Sequence, residues 1–273
     1  MIQTSISTKT GRRLRISLVR ALTVAALLSA GRPVLAAEAE SLLLPGIDMR
    51  SIEFTVGAWC RYRVIDQAMG LTDTSTVYLA VVGREKTATG NAYWLEVENV
   101  PPGPAGVEHD VARALVDERI QRMAPGDSLH HYISRFYTRK GNGPVQEGDS
   151  RQLRRLSVAS PKSPSDWKSE PNKSVTTPAG TFVCERRMFD ASESRDIPSG
   201  RIILKQKRSD HVEVFTSPSV PVFHLVKSEI ERTRESRTVP PVRGIPETGP
   251  KKSRTTSLLI AHGTGAKPLI PVR

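Results

Sequence analysis

The sequence predicts a mainly β (α+β) protein: an antiparallel sheet with one or two short helices. Several stretches alternate apolar and polar residues at period two, as half-buried strands do. The 20 prolines and 19 glycines supply turns at a density that long helices do not tolerate. A single stretch has helical spacing. The 273 residues divide into a leader (1–36), one β-rich domain (37–232), a Pro/Arg-rich segment expected to be disordered (233–256), and a final strand with a short tail (257–273).

The leader has the three parts of a secretory signal. Basic residues up to Arg20 precede an apolar run from Ala21 to Ala30, and small residues follow in Val34-Leu35-Ala36. Cleavage is expected after Ala36, leaving an exported protein, periplasmic or secreted. A membrane-spanning helix needs about 20 apolar residues; the run is shorter and none comparable follows, so no transmembrane span is expected in the mature chain.

The domain opens on "IEFTVGAWCRYRVID", where Phe54, Val56, Ala58, Cys60, Tyr62 and Val64 share one face. "STVYLAVVG" and "NAYWLEVEN" follow as a hairpin, and Pro101–Gly106 breaks the chain. "VEHDVARALVDERIQRM" carries Val107, Val111, Leu115 and Ile120 at helical spacing and predicts the short helix. "LHHYISRFYTRKGNGP" predicts a strand ending at Gly141–Gly143, and residues 145–173, polar and aperiodic, predict a long loop. A turn at Pro178-Ala179-Gly180 leads into a strand in which Phe182, Cys184 and Met188 oppose Val183, Glu185 and Arg187. "GRIILKQK", "HVEVFTS" and "FHLVKSEIER" predict three more strands, with Pro218 and Pro221 at an edge or crossover. "TSLLIAHG" is expected to return to the sheet.

The formal charge of +12 is unevenly placed. Residues 1–36 hold six bases and no acid, and residues 232–273 hold nine bases against two acids, which leaves the body at −1. A nucleic-acid binder needs its bases on a folded face. With the excess in a leader and a tail, no nucleic-acid partner is expected.

Cys60 and Cys184 are the only cysteines. In an oxidising compartment they are either a disulfide, closing a loop worth about 4–5 kcal/mol, or two buried thiols acting as small apolar groups. The six histidines have no metal-ligand spacing, and no nucleophile elbow, phosphate loop or dinucleotide fingerprint occurs. No catalytic residue, metal or cofactor is expected. Trp59, Tyr62, Tyr78, Trp94, Phe136 and Phe182 lie on predicted strands; on one face of a curled sheet they form a surface for an apolar ligand, and otherwise they fill a core.

"VGAWCRYRV", "TPAGTFVCERRMF", "FTSPSVPVFHLVKSEIE" and "LLIAHGTGAK" resemble a loose group of exported bacterial β-rich proteins, which is similar to the periplasmic lipoprotein-carrier superfamily. That resemblance implies a strongly curved antiparallel sheet or half-barrel, helices over its open mouth, and the shielding of acyl chains. Phe215 stands where it implies Trp, and His224 where it implies Gly. The expected function is therefore an exported, non-catalytic binder or carrier of a lipid-like apolar ligand. One alternative is an envelope interaction or structural protein with a filled sheet, partnered by another envelope protein. A second is a hydrolase whose Ser or Cys and His come from distant strands.

Overall fold

A computed structural model describes residues 49–101, 109–124, 127, 129–148, 167–199, 202–240 and 248–271. The leader, its cleavage site at Ala36 and most of the Pro101–Gly106 break lie outside them. The strands are β1 Trp59–Ala68, β2 Leu71–Thr87, β3 Gly90–Val100, β4 Asp110–Asp117, β5 Ile133–Lys140, β6 Gln146–Glu147, β7 Lys168–Thr177, β8 Gly180–Ser199, β9 Ile202–Thr216, β10 Leu225–Val239 and β11 Thr248–Gly263. They form one antiparallel sheet in the order β6-β5-β4-β3-β2-β1-β11-β10-β9-β8-β7. The sheet is open, with β6 and β7 at its two edges.

The sheet curls. Strands three places apart in a flat sheet stand about 14 Å from each other, yet the ring of Phe182 on β8 meets that of His262 on β11 at 6.0 Å between centroids.

Registers assign side chains to two faces in the β1–β5 half. Cys60, Tyr62, Leu79, Leu95, Val97 and Phe136 lie on one face, where Leu259 of β11 joins them. Segments outside the sheet close over it: Cys60 Sγ donates to Pro221 O (3.1 Å), Glu53 N–H to Val222 O (2.6 Å) and Gln121 Nε2 to Ile52 O (2.8 Å), while Tyr62 Oη donates to Leu225 O at the start of β10 (3.0 Å). Ile52, Ile120, Val220, Val222 and Phe223, all buried, come from these segments. Trp59, Tyr78, Ala80, Trp94, Glu96, Arg113, Leu115 and Tyr137 lie on the opposite face. Residues 264–271 cover that one: Ala266 N–H donates to Gly57 O (2.9 Å) and Trp59 Nε1 to Thr264 O (3.2 Å).

Several sequence expectations are corrected. The first strand begins at Trp59, not Ile52, because Gly57 sits at φ +89°, in the left-handed region, and ends a turn closed by Ala58 N–H to Thr55 O. The predicted helix is β4 followed by a 3-10 turn, Glu118–Arg122. Val111, Arg113 and Leu115 are buried on one face and Ala114 and Val116 on the other. A strand covered on both sides reads as a continuous apolar run, and that run imitates helical spacing. His130 and His131 stand in the 3-10 turn Leu129–Tyr132, not in a strand.

The expected loop 145–173 contains β6 and the start of β7, an edge strand whose side chains are mostly exposed and so give no apolar period. "GRIILKQK" and "HVEVFTS" are one strand, β9. The segment expected to be disordered is mostly sheet: 233–239 belong to β10 and 248–256 to β11. The final strand returns to the sheet as expected, beside β1.

Candidate functional site

The most elaborate polar construction in the described residues sits on the Trp59 face. It starts from Glu96, which the alternation of "NAYWLEVEN" places beside Trp94 on a central strand and which is fully buried. Its carboxylate accepts two successive backbone N–H groups, from Leu269 (2.8 Å) and Ile270 (3.1 Å). The matching carbonyls are taken by arginines: Arg113 Nη1 donates to Ile270 O, and Arg139 Nη1 to Leu269 O at 3.0 Å. Arg113 also stands 3.7 Å from Glu96. A carboxylate and two guanidiniums thus hold one dipeptide, Leu269-Ile270, by all four of its backbone groups.

Trp94 is the floor of this clamp. Arg113 and Arg135 stack on its ring at 4.4 and 4.9 Å, and its Nε1 donates to Glu85 Oε1 at 2.8 Å. Burial raises the pKa of Glu96, and the N–H groups of Leu269 and Ile270 with Arg113 and Arg139 offset this only in part. Burial likewise lowers that of Arg113, against the pull of Glu96. Sequence reasoning did not find the clamp; its signal was a charged residue, Glu96, in the middle of a predicted core strand.

The six aromatics expected to bind a ligand are divided. Trp59, Tyr78 and Trp94 lie on the clamp face, with Trp59 and Tyr78 5.8 Å apart. Trp59 lies against Gly263, where an added Cβ would come within 3.1 Å of the indole. Tyr62 and Phe136, both buried, lie on the Cys60 face, and Phe182 lies at the β7–β8 hairpin end against His262.

Cys60 and Cys184 are both buried and unbridged in this structure. Cys60 Sγ donates to Pro221 O at 3.1 Å, and burial pushes its pKa up to about 12. Burial also raises Cys184. A thiol with so little thiolate at neutral pH is a poor nucleophile. Pro221 belongs to the β9–β10 connection, which is wound tightly enough that Val222 and His224 adopt φ of +69° and +57°. His224 is the position where the resemblance implied Gly, and its backbone is in the region Gly favours.

The histidines with resolved partners serve carboxylates and a carbonyl: His109 meets Glu98 (3.0 Å), His131 meets Asp127 (3.0 Å), His211 meets Asp190 (2.8 Å), and His224 Nδ1 meets Val220 O (2.8 Å). None of these four is the contact between a base and a Ser or Cys that acyl transfer needs. Among the described residues no three His, Cys, Asp or Glu side chains converge as metal ligands.

No helix in the described residues is long and apolar enough to cross a membrane. No family model and no curated protein matches the chain. Two solved structures are similar over most of it. One is a candidate lipoprotein from Parabacteroides distasonis, 15% identical, covering 79% of this chain and 99% of its own, at a TM-score of 0.36. The other is a candidate exported protein with a YmcC-like fold from Bacteroides fragilis, 10% identical, covering 78% of this chain and 98% of its own, at 0.33.

Proposed function

We propose that this chain is an exported, non-catalytic envelope protein that acts as an interaction scaffold with a filled sheet, rather than as a carrier of an acyl chain. The observation that carries the reading is the use made of the aromatic side chains. A carrier needs them to converge on one open apolar surface. Here Trp59, Tyr78 and Trp94 stand on one face under the strap of residues 264–271, and Tyr62 and Phe136 stand on the other. Tyr62 is fully buried and spends its hydroxyl on Leu225 O. Trp94 spends its N–H on Glu85 and its ring on apolar packing and on two arginines.

Export is supported by the leader up to Ala36. The non-catalytic reading is supported by thiols raised by burial and by four of the six histidines being held by carboxylates or a carbonyl. The lipoprotein-carrier resemblance remains the rival, and one experiment separates them. The protein is purified gently from the envelope of an expressing bacterium and weighed by native mass spectrometry, then extracted with organic solvent. A mass equal to that of the polypeptide alone, unchanged after lipid is added, is expected. A stoichiometric apolar adduct that leaves on denaturation would overturn the filled-sheet reading and name the ligand class.

A further inference from the structure

The strap of residues 264–271 is held by its backbone. Glu96 accepts the N–H groups of Leu269 and Ile270, and Arg113 and Arg139 donate to the carbonyls of the same two residues. Earlier in the strap, Trp59 Nε1 donates to Thr264 O and Ala266 N–H donates to Gly57 O. Pro268 and Pro271 have no N–H to place, so the carboxylate takes every backbone N–H between Pro268 and Pro271. One side chain, Ile270, is buried, while Lys267, Pro268 and Pro271 are exposed. Such a grip reads a backbone path and one aliphatic side chain. It does not require that backbone to belong to the same chain.

Three observations make the strap removable. It forms no strand, and it leaves the sheet through Gly265, at φ +86° with open space where a Cβ would stand. What it covers is largely polar: water can satisfy Glu96 and Arg113, and the ring of Trp94 already lies under Arg113 and Arg135. A cover meant to stay shut rests on apolar packing, since buried charge is the poorer stabiliser. The fit is also incomplete. Arg113, whose side chain is 8% exposed, and Arg139 each keep a buried Nε with no partner among the described residues. A buried donor without an acceptor costs free energy, so the strap fills the clamp without satisfying it.

We propose that the clamp of Glu96, Arg113 and Arg139 is a peptide-binding site held shut by its own strap, and that a segment of an envelope partner takes the strap's place. The segment that fits has two adjacent aliphatic residues between prolines. Its backbone supplies the two N–H groups and two carbonyls, its second aliphatic side chain fills the place of Ile270, and its prolines reduce the freedom lost on binding. The inference rests on the scaffold reading and names the surface by which the scaffold holds a partner.

The test is a calorimetric titration of the full chain with a capped peptide of the strap's own sequence, "TGAKPLIP". In wild type the tethered strap competes as a ligand at roughly millimolar effective concentration, so weak binding is expected. Ile270→Ala weakens the strap and leaves the clamp intact. The peptide is expected to bind that variant roughly 30-fold more tightly than wild type, the gain that follows when the competing segment loses one buried aliphatic side chain. A melting curve establishes that the variant is folded at the titration temperature. The same peptide methylated on the two nitrogens that correspond to Leu269 and Ile270 is expected not to bind, and this control needs no change in the protein.

Equal affinity of wild type and Ile270→Ala for the peptide, equal affinity for the methylated and unmethylated peptides, or no binding to Ile270→Ala up to roughly millimolar peptide overturns the proposal. So does a dimer that the peptide splits, which assigns the clamp to the strap of a second copy. The two readings fail separately. An apolar adduct in the native mass spectrum sinks the scaffold reading, and a failed titration of a protein with a clean mass sinks only the clamp as its binding surface.

Discussion

The half of the sheet built from β1 to β5 and the hairpin ends of β8 to β11 are made of the same element by different physics. Strand β4 is eight residues long, and five of its last six side chains are buried because both faces are covered. Strand β8 runs for 20 residues, and Ser192–Pro198 are exposed throughout. In the first region, the charges at the heart of the sheet are enclosed: Glu96 and Arg113, both buried, hold a backbone strap. In the second, charge is everywhere and partly wet. Apolar burial fixes the first half, whereas in the second the backbone ladder and cross-strand pairs do most of the work.

The comparison breaks most sharply at Trp94. Trp94→Ala removes the indole packed against Ala80, Val82, Ala92 and Leu115 and strips the floor from two arginines. A loss of about 3–5 kcal/mol is expected, read as a lower urea midpoint at unchanged slope. A cost under about 1 kcal/mol would mean that the clamp face is not a core.

Next is the strap. Ile270 is fully buried although it lies outside every strand. Ile270→Ala is expected to cost about 2–3 kcal/mol, toward the lower part of the range for such truncations because the strap is not laddered into the sheet and can settle into the gap. Hydrogen exchange sharpens the same point: amides of β2, β3 and β4 are expected to open only with global unfolding, and those of β8 beyond Asp190 at far lower free energy. Equal protection in the two regions would erase the distinction.

The two regions also explain which parts of the fold were legible in the sequence. The β2–β3 hairpin, the Pro178-Ala179-Gly180 turn and the final strand were legible because one buried face writes period two into the chain. The β4 strand was not, since burial on both faces writes a continuous run that periodicity cannot distinguish from a helix. The hairpin ends failed for the opposite reason. "ERTRESRTV" and "KKSRTTS" have no apolar face, and their complementarity, such as Asp210 held by Arg208 and Arg232, exists only once the strands are paired. The clamp was hidden because its ligand is the chain's own residues 269 and 270, more than 170 positions from Glu96. Of the six aromatics, the sequence correctly placed Trp59, Tyr62, Tyr78, Trp94, Phe136 and Phe182 on strands, but face assignment depends on registers that no single strand encodes.

Protonation separates the regions by sign. Glu96 has a folded pKa above its ordinary 4.5, so the folded state holds its proton more tightly than the unfolded chain does. Its contribution to stability is full below 4.5 and is lost as pH rises through the raised value. Glu96→Gln is expected to cost about 1–3 kcal/mol by leaving the strap N–H groups imperfectly matched. The gap to wild type should be widest in acid and narrow as pH climbs, measured by denaturant midpoints across the range. A gap that widens with pH would show instead that Arg113 holds the carboxylate charged.

Glu229 on β10 behaves in reverse. Burial pushes Glu229 up, but Lys227 and Arg254 together win and hold it below 4.5. The stability it contributes is present above that value and is lost as pH falls through the folded one. Arg254, nearly half exposed, pairs with Glu229 and lies 3.9 Å from Glu231. Because water and salt screen such a pair, Arg254→Ala is expected to cost only about 0–1 kcal/mol, and less in high salt. The measurement is the melting temperature of variant and wild type at low and high salt. A loss as large as that of Ile270→Ala would mean that the charged ends of β10 and β11 carry a core of their own, and the division between the apolar first region and these wet, charge-paired ends would have to be abandoned.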